Sequence, residues 1–269
     1  MPELPEVETV RKILSNQLTG LIFEGVDVYY EKIIHEDFSI FTSTIIGQKI
    51  HRIDRIGKYL VFILDQHALI IHLRMEGKFY INPNQPINKH EHVVFHLSHE
   101  VELRYHDTRK FGTMHLKSLD NYLNTYPLNQ CGQEPFDIDK DLFFEKIKKK
   151  NVAIKSILLD QRIISGLGNI YVDETLFDAK IHPNRKGISI TKDESDQLIE
   201  SAKKILSEAV KLGGSTIRSY TASLGVTGLF QLKLMVHTKE NEPCQICGTT
   251  LKKIRVGGRG TYVCDTCQK

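Results

Sequence analysis

The feature that most restricts the fold of this 269-residue chain is a group of four cysteines near its end. They form two Cys-x-x-Cys pairs separated by sixteen residues, namely Cys244, Cys247, Cys264 and Cys267. Each pair fits a tight turn, and a hairpin between the pairs brings four thiolates into the tetrahedron that zinc prefers. We therefore predict one structural zinc ion and a zinc finger over residues 239–269.

The basic segment KKIRVGGRGTYV lies between the two cysteine pairs. Its glycines fit the tip of a hairpin that presents Arg259. Spacing alone leaves two interpretations of Arg259 about equally open, a solvated turn residue or a group that contacts a ligand.

The hydrophobic pattern divides the rest of the chain. From Leu21 to about Leu116 it has mostly period two, which predicts at least seven strands in an antiparallel sandwich or barrel. The segments are LIFEGVDVYY, KIHRID, YLVFIL, ALIIHLRM, HVVFHL, VELRYH and GTMHL, with a loop at Asn82 to Pro86. A single helix, at about Glu6 to Gln17, is predicted before them.

After Leu116 the period becomes helical, which predicts an α domain behind the β domain. The predicted helices span residues 140–149, 152–160, 169–179 and 191–212, and the last has a capping box at Thr191 and Glu194. The expected division is a β domain at 1–117, a linker at 118–137, a helical domain at 138–238 and the cysteine module. The fold class is thus multi-domain α+β.

Composition excludes several classes of protein. A hydrophobic fraction of 41% with 26% charged residues is typical of a core-forming chain and too apolar for a disordered one. We find no run of eighteen apolar residues, so we expect no membrane partner. The N-terminal MPELPEVETV has three glutamates and no apolar core of a secretory signal, which favours the cytoplasm.

The net charge of +3 hides an uneven distribution. Residues 1–48 carry −5, so residues 49–269 carry +8. Basic segments of this kind are where a polyanion binds, although a run of lysines is more often a solvated face.

The segment from Ser165 to Asn169, SGLGN, joins two predicted helices. Its glycines permit tight turns, and Asn169 can cap the following helix, whose N–H groups then face an anion. Several lysines precede it, namely Lys146, Lys148, Lys149, Lys150 and Lys155. The pattern suggests contact with a phosphate backbone, but a glycine-rich connection is more often only a connection.

The N-terminus offers a nucleophile if Met1 is removed, because Pro2 then exposes a secondary amine. An α-amino group titrates near ~7.7–8.0, far below lysine, so a useful fraction is unprotonated at neutral pH. Glu3 and Glu6 lie beside it as proton donors or acceptors. On physical grounds alone an inert terminus is the commoner case.

Six motifs in order along the whole chain resemble the bacterial formamidopyrimidine-DNA glycosylases, also called 8-oxoguanine DNA glycosylases. They are PELPEVETVR, GKYL, HLRMEGKF, DTRKFG, SGLGNIYVDE and CQICG with GGRGTYVCDTCQ. The resemblance implies a β-sandwich, a helix-two-turn-helix domain and a zinc finger. It also implies a base-excision repair enzyme that removes oxidised purines from duplex DNA and then cleaves the abasic site, with no organic cofactor.

The resemblance implies the site residues as well. Pro2 would attack C1′ of the damaged nucleotide, Glu3 would move the proton, Lys58 would serve the β-elimination and Arg259 the δ-elimination. His72, His90, Arg109, Lys150, Asn169 and Arg259 match positions that touch DNA phosphates. Met75, Arg109 and Phe111 match side chains that fill the space left by a flipped base; without the resemblance, Met75 and Phe111 would be taken as strand core.

Two further features belong to this comparison. The segment from Ile217 to Gln231 matches a mobile loop over the flipped base, and its glycines fit a lid. His237 stands where the family more often has tyrosine, a departure that we expect to affect packing near the finger and not the chemistry.

Two alternatives remain open at this stage. One is an endonuclease VIII-type glycosylase for oxidised pyrimidines, which the PELPEVET opening and the glycine-containing lid disfavour. The other is a zinc-ribbon DNA-binding protein without catalysis, which has no need of the Pro2, Glu3, Lys58 and Arg259 set. We expect a monomer that binds damaged double-stranded DNA in the bacterial cytoplasm and associates with the nucleoid through that binding.

Overall fold

The computed structural model describes residues 1–215 and 228–269. The chain forms two compact units. Unit 1 comprises Met1–Asn129 and Gly213–Gly228, and unit 2 comprises Gln130–Leu212 and Leu229–Lys269. The boundaries of the four predicted segments remain a prediction.

Unit 1 contains two four-stranded antiparallel sheets, as the period-two pattern predicted. One sheet has the order β1-β6-β7-β5 and the other β2-β3-β4-β8. The strands are β1 (Phe23–Val28), β2 (Arg52–Ile56), β3 (Tyr59–Ile63), β4 (His67–His72), β5 (Lys78–Ile81), β6 (Glu91–Leu97), β7 (Val101–His106) and β8 (Thr113–Ser118). One apolar cluster draws side chains from both sheets, so unit 1 is built around a common core.

Two helices belong to unit 1, α1 (Leu4–Leu18) and α2 (Phe38–Ile45). Helix α1 turns Val7, Val10 and Leu14 into the core, at the spacing of one helical face. The prediction of this helix at residues 6–17 is confirmed.

Two elements of unit 1 were not predicted. Helix α2 was missed because its sequence, FSIFTSTI, is rich in β-branched residues; Asp37 starts it by accepting from the N–H groups of Ser39 and Ile40. Strand β5 was missed because four residues are too few to show a period, although β5 pairs with β7 along its whole length.

Unit 2 is helical apart from one hairpin. Its helices are α3 (Lys140–Ile147), α4 (Ile154–Leu158), α5 (Asn169–Asp178) and α6 (Lys192–Lys211), and its strands are β9 (Lys252–Val256) and β10 (Arg259–Val263). The capping box that starts α6 is confirmed, since Thr191 and Glu194 each accept the other's backbone N–H. Helix α4 is shorter than the predicted 152–160.

Within residues 1–215 and 228–269, no helix is both long and apolar enough to cross a membrane.

Candidate active site and zinc centre

The N-terminus is fixed by a buried carboxylate in unit 1. Pro2 and Glu3 are buried, and the backbone N–H of Glu3 donates to Oε2 of Glu6 over 2.8 Å. The other oxygen of Glu6 accepts from the backbone N–H of Ser215 over 2.7 Å. Glu6 therefore links the start of α1 to Ser215 through its two carboxylate oxygens.

The terminal amino group, that of Met1, has a lowered pKa. Burial is the largest cause, since it penalises the charged form, and the charge of Lys58 acts in the same direction. The carboxylates of Glu3 and Glu6 oppose the shift without cancelling it. Lys58 is itself buried at the tight turn between β2 and β3. The structure thus brings the amine, Glu3 and Lys58 within electrostatic reach of one another.

His72 ends β4 close to this group. Its Nδ1 accepts from the backbone N–H of Arg74 over 2.9 Å, so the ring proton lies on Nε2. Burial, with smaller contributions from the charges of Arg74 and Lys58, lowers the pKa of His72 to about 3. The ring of Tyr59 packs edge-on at 4.6 Å between centroids. His72 is therefore a neutral N–H donor at physiological pH.

The loop after β7 presents Arg109 and Phe111 around one buried carboxylate. Asp107 accepts from the backbone N–H groups of Arg109, Phe111 and Gly112, each over 2.9 Å. The guanidinium of Arg109 lies 4.8 Å from the centroid of the Phe111 ring. Phe111 is 52% exposed, so it is not the strand-core residue that it would be taken for without the family resemblance.

The remaining predicted residues of unit 1 flank this loop. Met75 is half-buried, and its neighbour Glu76 accepts a hydrogen bond from the hydroxyl of Thr108, which joins the two loops. His90 is half-buried with its ring 5.6 Å from that of His106. Both loops therefore form one surface region of unit 1.

The four cysteines form the predicted cluster in unit 2. Their Sγ atoms all lie within 4.8 Å of one another, with 3.9 Å from Cys244 to Cys267 and 3.5 Å from Cys247 to Cys264. A zinc ion with Zn–S bonds of about 2.3 Å needs sulfur atoms about 3.8 Å apart. Four thiolates at this spacing fit a closed structural zinc site.

The hairpin between the cysteine pairs carries Arg259. Gly257 and Gly258 form its tip with φ values of 55° and 78°, in the left-handed region that glycine tolerates. A Cβ at Gly257 would meet Oγ of Ser156 at 2.4 Å, so the tip rests closely on α4. Arg259 is exposed as the first residue of β10.

Asn169 does not cap α5, and that prediction was wrong. Gly168 occupies the N-cap position, and the side-chain amide of Asn169 instead donates to the carbonyl of Gly260 over 3.1 Å. The amide can reach the hairpin because Asn169 is the first residue inside the helix. Lys150, which follows α3, is half-buried in the same unit.

Two buried aspartates were missed by sequence reasoning. Asp107 opens the DTRKFG motif, where an aspartate before a turn is a usable signal for backbone capture. Asp173 lies inside α5 and pairs with Lys155, and no local pattern points to that contact.

The predicted lid at residues 217–231 falls mostly outside the described residues.

Family comparisons cover the chain in three blocks. Residues 1–114 match the formamidopyrimidine-DNA glycosylase N-terminal domain, and residues 131–221 match the formamidopyrimidine-DNA glycosylase H2TH domain. Residues 241–269 match the zinc finger found in FPG and IleRS.

Relatives match over the full length. The chain is 46% identical to the formamidopyrimidine-DNA glycosylase of Oceanobacillus iheyensis, covering 100% of this chain and 98% of the relative. It is 48% identical to that of Bacillus licheniformis, with 100% of both covered.

Solved structures of DNA complexes also match the chain over its full length. A mutant of the Lactococcus lactis FPG in complex with DNA containing Fapy-dG matches with a TM-score of 0.94 and 42% identity, and covers 100% of both chains. MutM in complex with DNA containing carbocyclic 8-oxo-G matches with a TM-score of 0.91 and 40% identity over the same coverage.

The fold, the four-cysteine centre and these matches define a zinc-finger DNA glycosylase of base-excision repair. The chain belongs to the formamidopyrimidine-DNA glycosylase family. Its four-cysteine cluster is the structural zinc site of that family's finger. The alternative of a zinc-ribbon protein without catalysis is thereby set aside.

Proposed function

We propose that this chain removes 8-oxoguanine and formamidopyrimidines from duplex DNA through Pro2 and then cleaves the abasic site by β,δ-elimination. The observation that carries the proposal is the amino terminus, where burial and Lys58 lower the pKa of the Met1 amine beside two carboxylates. An α-amino group ordinarily titrates near ~7.7–8.0, so the same surroundings would raise the unprotonated, nucleophilic fraction of a Pro2 amine at neutral pH. Removal of Met1 is required, because only then is the amine that of Pro2.

The first step links Pro2 to the sugar and releases the base. The nitrogen of Pro2 attacks C1′ and gives up its proton, and the bond from C1′ to the damaged base breaks with its electron pair leaving on the base, which takes up a proton. The nitrogen lone pair then forms the second C1′–N bond as the C1′–O4′ bond opens and O4′ is protonated, which leaves an iminium ion. We assign the proton transfers to Glu3, which the capping contact with Glu6 holds beside the terminus.

Elimination follows from the charge of the iminium ion. It acidifies the hydrogen on C2′, so loss of that proton expels the 3′-phosphate, and loss of the C4′ proton then expels the 5′-phosphate. We assign the first elimination to Lys58 and the second to Arg259. Water finally hydrolyses the iminium ion and restores the free amine.

DNA contacts divide by chemistry. We assign phosphate binding to His72, His90, Arg109, Lys150, Asn169 and Arg259. His72 serves as a neutral N–H donor, since its pKa of about 3 leaves it uncharged. Met75, Arg109 and Phe111 fill the space of the flipped base, which offsets an unstacking cost of a few kcal/mol. The exposed Phe111 under the Arg109 guanidinium supports that assignment.

The setting of the reaction follows from the substrate. We propose that the chain acts as a monomer in the cytoplasm and associates with the nucleoid through its DNA contacts. The DNA-bound relatives with Fapy-dG and with carbocyclic 8-oxo-G support oxidised purines over the oxidised pyrimidines of endonuclease VIII-type enzymes.

Borohydride trapping tests the proposal. Duplexes carrying either 8-oxoguanine opposite cytosine or an oxidised pyrimidine are incubated with the protein and borohydride, and covalent adducts are separated by electrophoresis. We expect an adduct with the oxidised purine that disappears after acetylation of the terminal amine near pH ~6.5, where lysines stay protonated. Mass spectrometry confirms the loss of Met1 and the single acetyl group. An adduct that persists after acetylation would rule out Pro2, and a stronger adduct with the pyrimidine would reverse the substrate assignment.

A further inference from the structure

Unit 2 buries a polar network of three side chains next to the hairpin that carries Arg259, namely Lys155, Asp173 and His237. Nζ of Lys155 lies 2.6 Å from Oδ1 of Asp173, and both side chains are fully buried. Nδ1 of His237 lies 2.8 Å from Oδ2 of the same carboxylate. Asp173 therefore uses both oxygens, one on a cation and one on an imidazole.

Both ends of this polar network contact strand β10. Lys155 also donates to the carbonyl of Gly260 over 3.1 Å, directly after Arg259. The ring of His237 packs on the ring of Tyr262 at 4.9 Å between centroids. Oδ2 of Asp173 accepts from the backbone N–H of Tyr262 over 3.4 Å. The carboxylate thus holds the strand on which Arg259 is the first residue.

The direction of the His237 contact follows from chemistry. An ionised carboxylate can only accept hydrogen bonds, so Nδ1 of His237 carries the proton and donates. The opposite side of the histidine is fixed as well, because its backbone N–H donates to Glu174 over 2.8 Å. With side chain and backbone both bonded to α5, His237 presents one orientation to β10.

The carbonyl of Gly260 joins this polar network to Asn169, a second predicted phosphate contact. It accepts from Lys155 and also from the side-chain amide of Asn169. Asn169 and Arg259 are therefore held in fixed register through one peptide group. A displacement of β10 would move Arg259 relative to Asn169 and to any DNA backbone that both contact.

We propose that Asp173 and His237 are positioning residues that set the place of Arg259 for the second elimination. The inference rests on the proposed role of Arg259 and adds a specific demand, namely that the hydrogen bond from Nδ1 controls the product of the reaction. Both residues are buried, so we assign neither of them a contact with DNA. Their effect passes through β10, which their contacts hold in place.

Two substitutions at His237 separate the hydrogen bond from ring packing. His237→Phe keeps a ring against Tyr262 but removes the Nδ1 donor. His237→Asn places an amide nitrogen where Nδ1 stands but removes most of the ring. The zinc-loaded proteins are given duplex with a preformed abasic site, and the rates of β and δ products are measured by gel electrophoresis.

We expect His237→Phe to slow the δ step by about tenfold relative to the β step, as a small misplacement of a reacting group does. His237→Asn should stay within about twofold of wild type, since it retains the donor. The matched control is His182→Phe, which removes another histidine–aspartate contact in the same unit, 3.7 Å from Asp265, without touching the hairpin tip. It should leave the ratio unchanged, and borohydride trapping should be equal in all four proteins.

The outcomes separate this inference from the function on which it rests. If Arg259→Ala keeps the wild-type δ rate, the assignment of Arg259 fails and this inference fails with it. If Arg259→Ala loses the δ product while His237→Phe keeps it, only the positioning role is overturned. A larger loss in His237→Asn than in His237→Phe would show that ring packing, not the hydrogen bond, sets the hairpin.

Discussion

Two buried sites, one in each unit, accommodate polar groups in opposite ways. In unit 1, His72 is held neutral by burial, with its pKa lowered to about 3. In unit 2, Lys155 and Asp173 form a fully buried ion pair, and Glu174 accepts three consecutive backbone N–H groups that begin at Met235. A neutral N–H group can donate a hydrogen bond without a counter-charge, whereas a buried ion pair needs both of its partners. The two sites therefore differ in what the loss of one group leaves behind.

Two exposed arginines, Arg109 and Arg259, make the comparison sharper. Arg109 stands on a loop held by Asp107 through three backbone N–H groups. Arg259 stands on a hairpin held by Asp173 through a cation and an imidazole, and by the cysteine cluster. A buried aspartate lies behind each arginine, but the second depends on charge compensation and on a metal. Loss of Asp173 or of the metal should therefore lower the free energy of unfolding more than loss of Asp107 does.

Loss of the metal should have the largest effect. Cys264→Ser removes a fully buried ligand, and zinc binding supplies much of the folding energy of such modules, about 10–16 kcal/mol in isolated finger peptides. We expect loss of bound zinc and roughly 10- to 100-fold weaker binding to duplex DNA as basic contacts are lost. Unit 1 should keep its thermal transition.

Zinc content, DNA affinity and calorimetry check this prediction together. Cys131→Ser is the matched control, since Cys131 lies outside the cluster. A Cys264→Ser protein that releases zinc yet binds DNA as wild type does would contradict the role given to the finger.

The two aspartates should differ in the next test. Asp173→Asn leaves the ammonium of Lys155 buried without a counter-charge, and breaking such a pair costs about 3–5 kcal/mol. Asp107→Asn keeps one acceptor oxygen and turns an N–H group toward a backbone donor, which costs about 1–3 kcal/mol. Free energies of unfolding from urea titration measure both. Equal losses would remove the distinction between the two modes of burial.

Much of the fold was accessible from the sequence because its signals are local. Alternation predicted the sheets, helical periodicity and the capping box predicted α6, and ligand spacing predicted the cysteine cluster. Helix α2 was missed because β-branched residues mask a helix that its N-cap at Asp37 starts. Strand β5 was too short to show a period, and only its pairing with β7 defines it.

The site was less accessible because its organisation is not local. Nothing near Asp173 indicates that Lys155, eighteen residues earlier, will be buried against it. Asn169 was assigned to a cap because its sequence position allows one, but the hairpin ninety-one residues later competes for its amide. Glu6 could be predicted to lie near the terminus, but its bond to Ser215 depends on tertiary structure.

A smaller effect should come from the packing of the Arg109 loop. A Cβ at Gly112 would lie 1.7 Å from Oη of Tyr105, so Gly112→Ala must push the loop or the ring aside. Overpacking of this kind costs about 1–3 kcal/mol. Tyr105→Phe in the same chain removes the hydroxyl and should recover part of the loss.

The matched control is Gly25→Ala, where the nearest contact of a new Cβ is an ordinary 3.4 Å to the His96 side chain. Urea titration should find Gly25→Ala close to wild type. A Gly112→Ala protein that is as stable as the control would show that only Asp107, and not the Tyr105 contact, fixes the loop of unit 1.

Within one pH unit, the smallest effect is the acid sensitivity that a neutral buried histidine gives to unit 1. The pKa of His72 is about 3 in the folded chain and near the ordinary 6.5 when unfolded, so below pH 6.5 the unfolded chain takes up a proton that the folded chain does not. Stability from this residue is therefore complete above pH 6.5 and falls as the pH drops toward 3. Linkage sets the loss at no more than about 1.4 kcal/mol per pH unit.

His72→Phe removes this term, so the free energy of unfolding of the variant should fall less steeply between pH 6.5 and pH 5 than that of wild type. The comparison uses urea titrations at each pH, because absolute stabilities of the two proteins differ for packing reasons while slopes report protons alone. His115→Phe is an informative second variant, since burial also lowers the pKa of His115 to about 3 and the same reduction in slope is expected. Identical slopes in wild type and His72→Phe would mean that His72 takes up its proton in the folded state, and its role as a neutral donor would then be wrong.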